Sequence, residues 1–158
     1  MLRMTKQADY GIVLMTQMAM DAKRRFTAPE LAAITQIPSP MVSKILKLLG
    51  RERVLESHRG VNGGYSLARD PRRISVADMI EALDGPIAFT ECIEDTPGCC
   101  SQEAICRLRT NWQRINLALR QALENISLEE LTRPMAPQVA LVQLGMSSLD
   151  RSSLEHRT

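Results

Sequence analysis

The sequence predicts a mainly α fold with one small β-hairpin: a winged helix-turn-helix body followed by a long amphipathic helix. Three observations lead there. Two short helices with N-terminal capping signals stand on either side of a Gln36-Ile37-Pro38 break. A Gly-rich loop, GVNGG at 60–64, separates two strand-like runs, VLESHR (54–59) and YSLAR (65–69). Farther on, apolar residues recur at alternating steps of three and four over about three heptads.

The elements follow in order. Thr5 is placed to cap a first helix running to about Lys23. Its residues Ile12, Val13, Leu14, Met15, Met18 and Met20 are apolar nearly all round, which predicts burial on several sides. Thr27-Ala-Pro-Glu30 is a capping box with Pro in the first turn, and opens a short helix to about Thr35. Ser39 with Pro40 reads as the N-cap of a third helix reaching about Arg53. That helix has an apolar stripe (Val42, Ile45, Leu46, Leu49) and an opposite polar, basic face (Pro40, Ser43, Lys44, Lys47, Arg51). A hairpin directly after such a helix is a wing, and its glycines permit positive φ. Ser75 and Asp78 cap a further helix that stops at Asp84-Gly85-Pro86.

The long helix is predicted from Ser101 to about Asn125. Its stripe is Ile105, Leu108, Trp112, Ile115, Leu119, Ala122 and Ile126, a seam suited to the matching helix of a second copy. Ser127 and Glu130 cap one last short helix. From 134 the chain lacks periodicity and reads as a loose tail. The division expected is 1–85 for a winged helix-turn-helix DNA-binding domain and 86–106 for a cysteine-bearing, cluster-binding loop. A dimerisation helix region at 101–133 and the tail at 134–158 complete it.

Charge is unevenly placed although the chain's net charge is only +2. Residues 1–73 hold 13 Lys or Arg against 6 Asp or Glu, whereas residues 74–158 hold 7 against 12. A basic front half suits a polyanion such as double-stranded DNA. On this reading Ser39, Ser43, Lys44 and Lys47 face the major groove. Arg59, Asn62, Gly63 and Gly64 of the wing meet the minor groove or backbone. No apolar run approaches the ~20 residues of a membrane span. The N-terminal MLRMTKQADYG has no signal-peptide pattern, so a cytoplasmic protein is expected. No acid–base constellation or nucleotide-binding loop points to an enzyme.

All four cysteines lie in CIEDTPGCCSQEAIC, residues 92–106. Cys92, Cys99 and Cys106 leave six and six residues between thiols; Cys92, Cys100 and Cys106 leave seven and five. Neither is the paired C-x-x-C spacing of structural zinc. Such gaps suit a loop around an iron–sulfur cluster, with zinc and a thiol–disulfide switch as alternatives.

The order TKQADYG, helix-turn-helix, RGVNGGYSLARDP, spaced cysteines and CRLRTNW resembles the bacterial winged-helix iron–sulfur transcription regulators, the IscR/NsrR-like family. The resemblance covers about residues 1–133, and NWQRINLALRQALENISLEEL looks closest to the branch regulating SUF cluster assembly. It implies a homodimer on a pseudo-palindromic operator, repressing cluster-assembly genes, with a 2Fe–2S cluster favoured over 4Fe–4S. It selects Cys92, Cys100 and Cys106 as ligands and leaves Cys99 as an alternative. Where some members carry a ligand His this chain has Arg109, whose guanidinium offers no acceptor to a metal. The resemblance then offers Asp9, contributed by the partner subunit, as the fourth ligand. A nitric-oxide or redox sensor of the same build, and a cluster carrier without DNA binding, are the competing expectations.

Overall fold

In the computed structural model, residues 4–88 and 108–133 are described. The elements are α1 (Lys6–Ala19), α2 (Ala28–Thr35), α3 (Ser39–Arg51), β1 (Leu55–His58), β2 (Gly64–Leu67), a 3-10 turn (Pro71–Arg73), α4 (Val76–Asp84), α5 (Arg109–Glu124) and α6 (Leu128–Thr132). This is the mainly helical, winged helix-turn-helix architecture that the sequence predicts.

Caps form where the sequence places them. Thr5 Oγ1 accepts the Ala8 amide at 3.1 Å. Reciprocal capping boxes close at Thr27/Glu30, Ser75/Asp78 and Ser127/Glu130, each satisfying amides the first helical turn leaves free. Three boundaries differ, one of them the end of α3, which stops at Arg51 and not near Arg53. Ser39 is the first residue of α3 and not its cap; Pro38 occupies the cap position and makes no side-chain bond there. The rigid φ of Pro38 sets the entry, and its carbonyl receives the Met41 and Val42 amides at 2.9 and 3.1 Å. α1 ends at Ala19, not near Lys23. The chain must turn there so that Phe26 can enter the core and exchange two backbone hydrogen bonds with Tyr65, at 2.9 and 2.8 Å. Arg24 lies over the Phe26 ring, 4.9 Å from its centroid, and pairs with Glu30.

One core joins every element from α1 to α4 with the hairpin and α6. Leu14, Met15, Leu31, Val42, Ile45, Leu46, Leu49, Ile74, Met79 and Leu128 are wholly buried in it. α1 is central, packing on α2, α3, α4 and α6. Within it Val13 is exposed, while Tyr10, Ile12 and Ala19 are partly buried against the core beside the wholly buried Leu14 and Met15. Gly11 sets the close approach: a Cβ there would stand 2.2 Å from Leu83 Cδ1 and 3.5 Å from Ile45 Cγ2. After α5 the chain returns to the body through a bridge between Ser75 and Ser127. There the Val76 amide donates to Ile126 O at 2.9 Å and the Leu128 amide to Ile74 O at 2.7 Å.

Candidate nucleic-acid interface

The amphipathic pattern of α3 determines what it can present. Val42, Ile45, Leu46 and Leu49 turn inward, so Ser39, Lys44, Lys47 and Arg51 are exposed and Ser43 half-buried on the other side. Neither Lys44 nor Lys47 makes an ion pair among the described residues, so both charges are available to a polyanion. Arg51 holds Glu52 at 3.0 Å.

The wing is a short antiparallel hairpin pairing Leu55 with Leu67, Glu56 with Ser66, Ser57 with Tyr65 and His58 with Gly64. Leu55 is buried and ties β1 to the core, while Tyr65 bonds to Phe26 and ties down β2. The tip, 59–63, is closed by the Gly63 amide donating to Gly60 O at 2.9 Å, with Gly60 at φ +100°. Arg59, Val61 and Asn62 project from it exposed. Gly63 and Gly64 are half-buried, and the fold uses their missing side chains. A Cβ at Gly63 would lie 2.6 Å from His58 O, and one at Gly64 2.7 Å from Phe26 O. His58 Nε2 is 2.8 Å from Ser66 Oγ, which holds the ring against the hairpin.

Between the last turn of α3 and β1 lies an open cleft of about 610 Å³, lined among others by Lys47, Arg51, Arg53, Ser57 and His58. It joins the basic face of α3 to strand β1 of the wing. Sequence periodicity missed Arg53 as a separate feature, because it read as the last helical residue.

Asp9 stands exposed in the first turn of α1. That turn is fastened to the end of α4. Thr5 Oγ1 lies 2.7 and 2.8 Å from the two carboxylate oxygens of Asp84, and Gln7 Nε2 donates to Leu83 O at 2.6 Å. The chain leaves α4 from this clamp toward the cysteine stretch. Cys92, Cys99, Cys100 and Cys106, with Ser101 and Ile105, lie outside the described residues.

On α5, Trp112, Asn116, Leu119 and Leu123 are half-buried; Asn116 Nδ2 donates to Ile87 O at 2.9 Å, and Leu123 packs against the core. Arg120 reaches Glu81 of α4 at 3.5 Å and Glu124 at 2.9 Å. Beside this inward face runs a second stripe, Leu108, Ile115, Ala122 and Ile126, that the chain itself leaves exposed. The seam read from the sequence therefore splits. Trp112 and Leu119 are half-buried with Asn116 and Leu123, and the rest faces outward.

Among the described residues no helix is long and apolar enough to cross a membrane. Comparison with known proteins gives the geometry a context. Residues 4–134 match the family model Rrf2, described as an iron-dependent transcriptional regulator. The chain is 32% identical over 140 residues to the HTH-type transcriptional regulator Rv1287 of Mycobacterium tuberculosis strain H37Rv, covering 87% of this chain and 85% of that protein. It is similar in structure to CymR, the global cysteine regulator of B. subtilis, with TM-score 0.65, 26% identity, and 84% of this chain and 97% of that one covered. The structure of T. potens IscR shares the fold, with TM-score 0.62 and 23% identity over 82% of this chain and 85% of that one.

Proposed function

Because the chain belongs to the Rrf2 family of winged-helix transcriptional regulators, whose members act on DNA and are not enzymes, we propose that it is a homodimeric, iron–sulfur-responsive repressor of SUF cluster-assembly genes. The observation that carries this reading is a juxtaposition. An exposed basic face on α3, whose Lys44 and Lys47 make no ion pair among the described residues, shares one cleft with strand β1 of a glycine-tipped wing, in a chain whose four thiols all fall between α4 and α5. Two such surfaces, one from each copy, fit the two halves of a pseudo-palindromic operator. Lys44 and Lys47, with Ser39 and Ser43, enter the major groove. Arg59 and Asn62, with the close-approaching backbone of Gly63 and Gly64, follow the neighbouring minor groove or phosphates. The body at 1–85 reads DNA, 86–106 senses, and 101–133 pairs the two copies.

The donor set fits an iron–sulfur cluster. Thiolates suit iron, and a carboxylate in place of a fourth thiolate suits a weakly held, responsive group. Cys92, Cys100 and Cys106 would hold it, with the partner's Asp9 or the chain's own Cys99 as fourth donor; 2Fe–2S is the expected type. The group supplies a supply- or oxidation-dependent constraint when bound. The chain's own contribution is the Thr5–Asp84 and Gln7–Leu83 clamp, which links the departure of the cysteine segment to α1. From α1 the packing of Gly11 on Ile45 leads to α3. A shift at the segment therefore has a packed route to the spacing of the two recognition helices.

The test is anaerobic purification of the full chain, iron and sulfide analysis, and footprinting on promoter DNA of cluster-assembly genes. Iron with sulfide in equal amounts, and footprints altered by Cys106→Ala, are expected. Zinc, or no metal, at those sulfurs overturns the cluster reading. Iron with no footprint on any promoter overturns the regulatory one.

A further inference from the structure

The end of α3 carries a residue that the local backbone does not favour. The Arg53 amide donates to Gly50 O at 3.2 Å and the Val54 amide to Leu49 O at 2.9 Å. These crossed bonds close a left-handed helix cap with φ 58° at Arg53. That position is ordinarily glycine or asparagine, because a Cβ crowds the following carbonyl in the left-handed region. Gln36 is the other non-glycine residue with positive φ among those described, and its side chain has an internal task. Its Nε2 donates to Ala33 O at 2.6 Å, at the end of α2. Arg53 has none: among the described residues its guanidinium makes no ion pair and no hydrogen bond. A strained backbone supporting an unused cation points outward, to a ligand.

The surroundings say which ligand. Arg53 lines the cleft of about 610 Å³ with Lys47, Arg51, Ser57 and His58. One carboxylate, Glu56, also lines it, so cations outnumber anions there. The cleft is open and continuous with the exposed face of α3 through Lys47. An arginine fork matches the paired oxygens of a phosphodiester. We propose that Arg53 is a DNA-phosphate-binding residue, and that the α3–β1 cleft seats a backbone phosphate flanking the bases read by α3. The proposal rests on the reading of the chain as a DNA-binding regulator and adds a contact to it. It also explains why arginine stands where glycine would fold more easily: the site trades local stability for a cation at the groove edge.

The test uses Arg53→Gly and Arg53→Lys in the full chain, with melting temperature and affinity for a labelled mixed-sequence duplex measured across salt concentrations. Glycine relieves the strained cap, so R53G folds and melts higher than the parent. Its DNA affinity falls several-fold at low salt, and the slope of log affinity against log salt becomes shallower by about one. R53K keeps the parent slope. The loss in R53G is the same on mixed sequence and on a footprinted promoter, because a phosphate carries no sequence information. An R53G slope equal to the parent's overturns the proposal, as does a loss confined to one sequence. A parent chain that binds no duplex at all overturns instead the DNA-binding reading beneath it.

Discussion

Replacing Gly64 with alanine should detach the wing from the body, and the cost can be worked from the coordinates. Gly64 has φ +146°, a region L side chains rarely adopt, and its absent Cβ would lie 2.7 Å from Phe26 O and 3.1 Å from Phe26 C. Both are backbone atoms, so neither can swing aside. The conformational penalty is about 1–3 kcal/mol. Relieving the clash requires the strand to lift from Phe26, which breaks the pair of backbone bonds between Phe26 and Tyr65, at about 1 kcal/mol each. The total is about 3–5 kcal/mol, a large share of the ~5–15 kcal/mol that stabilises a typical domain. Gly60→Ala is the matched control. Its φ is +100°, yet nothing stands within 4 Å of the added methyl. It should lose the conformational part alone, so the two variants should differ by about 2 kcal/mol. Urea denaturation followed by far-ultraviolet circular dichroism, at one fixed protein concentration, reads the difference. Equal losses in the two variants would refute the claim that Phe26 braces the wing.

Two other outcomes are expected. Ile115 is 45% exposed on the outer stripe of α5. Covering the remainder is worth about 1 kcal/mol per chain, hence about 2 kcal/mol across the proposed two-fold interface. Ile115→Ala should therefore weaken self-association about 30-fold in sedimentation equilibrium; an unchanged constant would remove this stripe from the interface. The backbone and side chain of Ser127 hold the Glu130 carboxyl below the usual glutamate range. A depressed carboxyl stabilises the fold above its ordinary titration range, and that contribution is lost as pH falls through its lowered value. Ser127→Ala should raise the Glu130 midpoint in a carbon-detected titration, and the stability gap between parent and variant should narrow in acid. A Glu130 midpoint indifferent to Ser127 would contradict the capping geometry.

The cysteine quartet shows how far chemistry can be read from sequence. Four thiols in a fifteen-residue stretch make a candidate donor set, and thiolates as a class favour soft metals. In the proposed cluster site, the choice between Cys99 and Cys100 depends on loop geometry that spacing does not specify. The seam of α5 has the same character. Alternating steps of three and four showed a sticky helix, but whether a stripe meets its own body or a second copy depends on what is packed beside it. The body claimed Asn116 and Leu123 and left Leu108, Ile115 and Ile126 outside.

By itself the sequence determined what acts over one helical turn. Thr27 with Glu30, Ser75 with Asp78 and Ser127 with Glu130 start helices because a hydroxyl and a carboxylate can reach free amides three residues away, in any protein. The stripe of α3 likewise determined which of its faces would be basic and exposed. The tertiary structure decided the rest: the early end of α1, the left-handed cap at Arg53, and the pressing of Gly64 on Phe26. The end of α1 and the Gly64–Phe26 contact depend on residues distant in the chain competing for one buried volume, and the cap at Arg53 turns the chain so that Val54 enters that same core. No local pattern records that competition, because its outcome is settled only when the core closes.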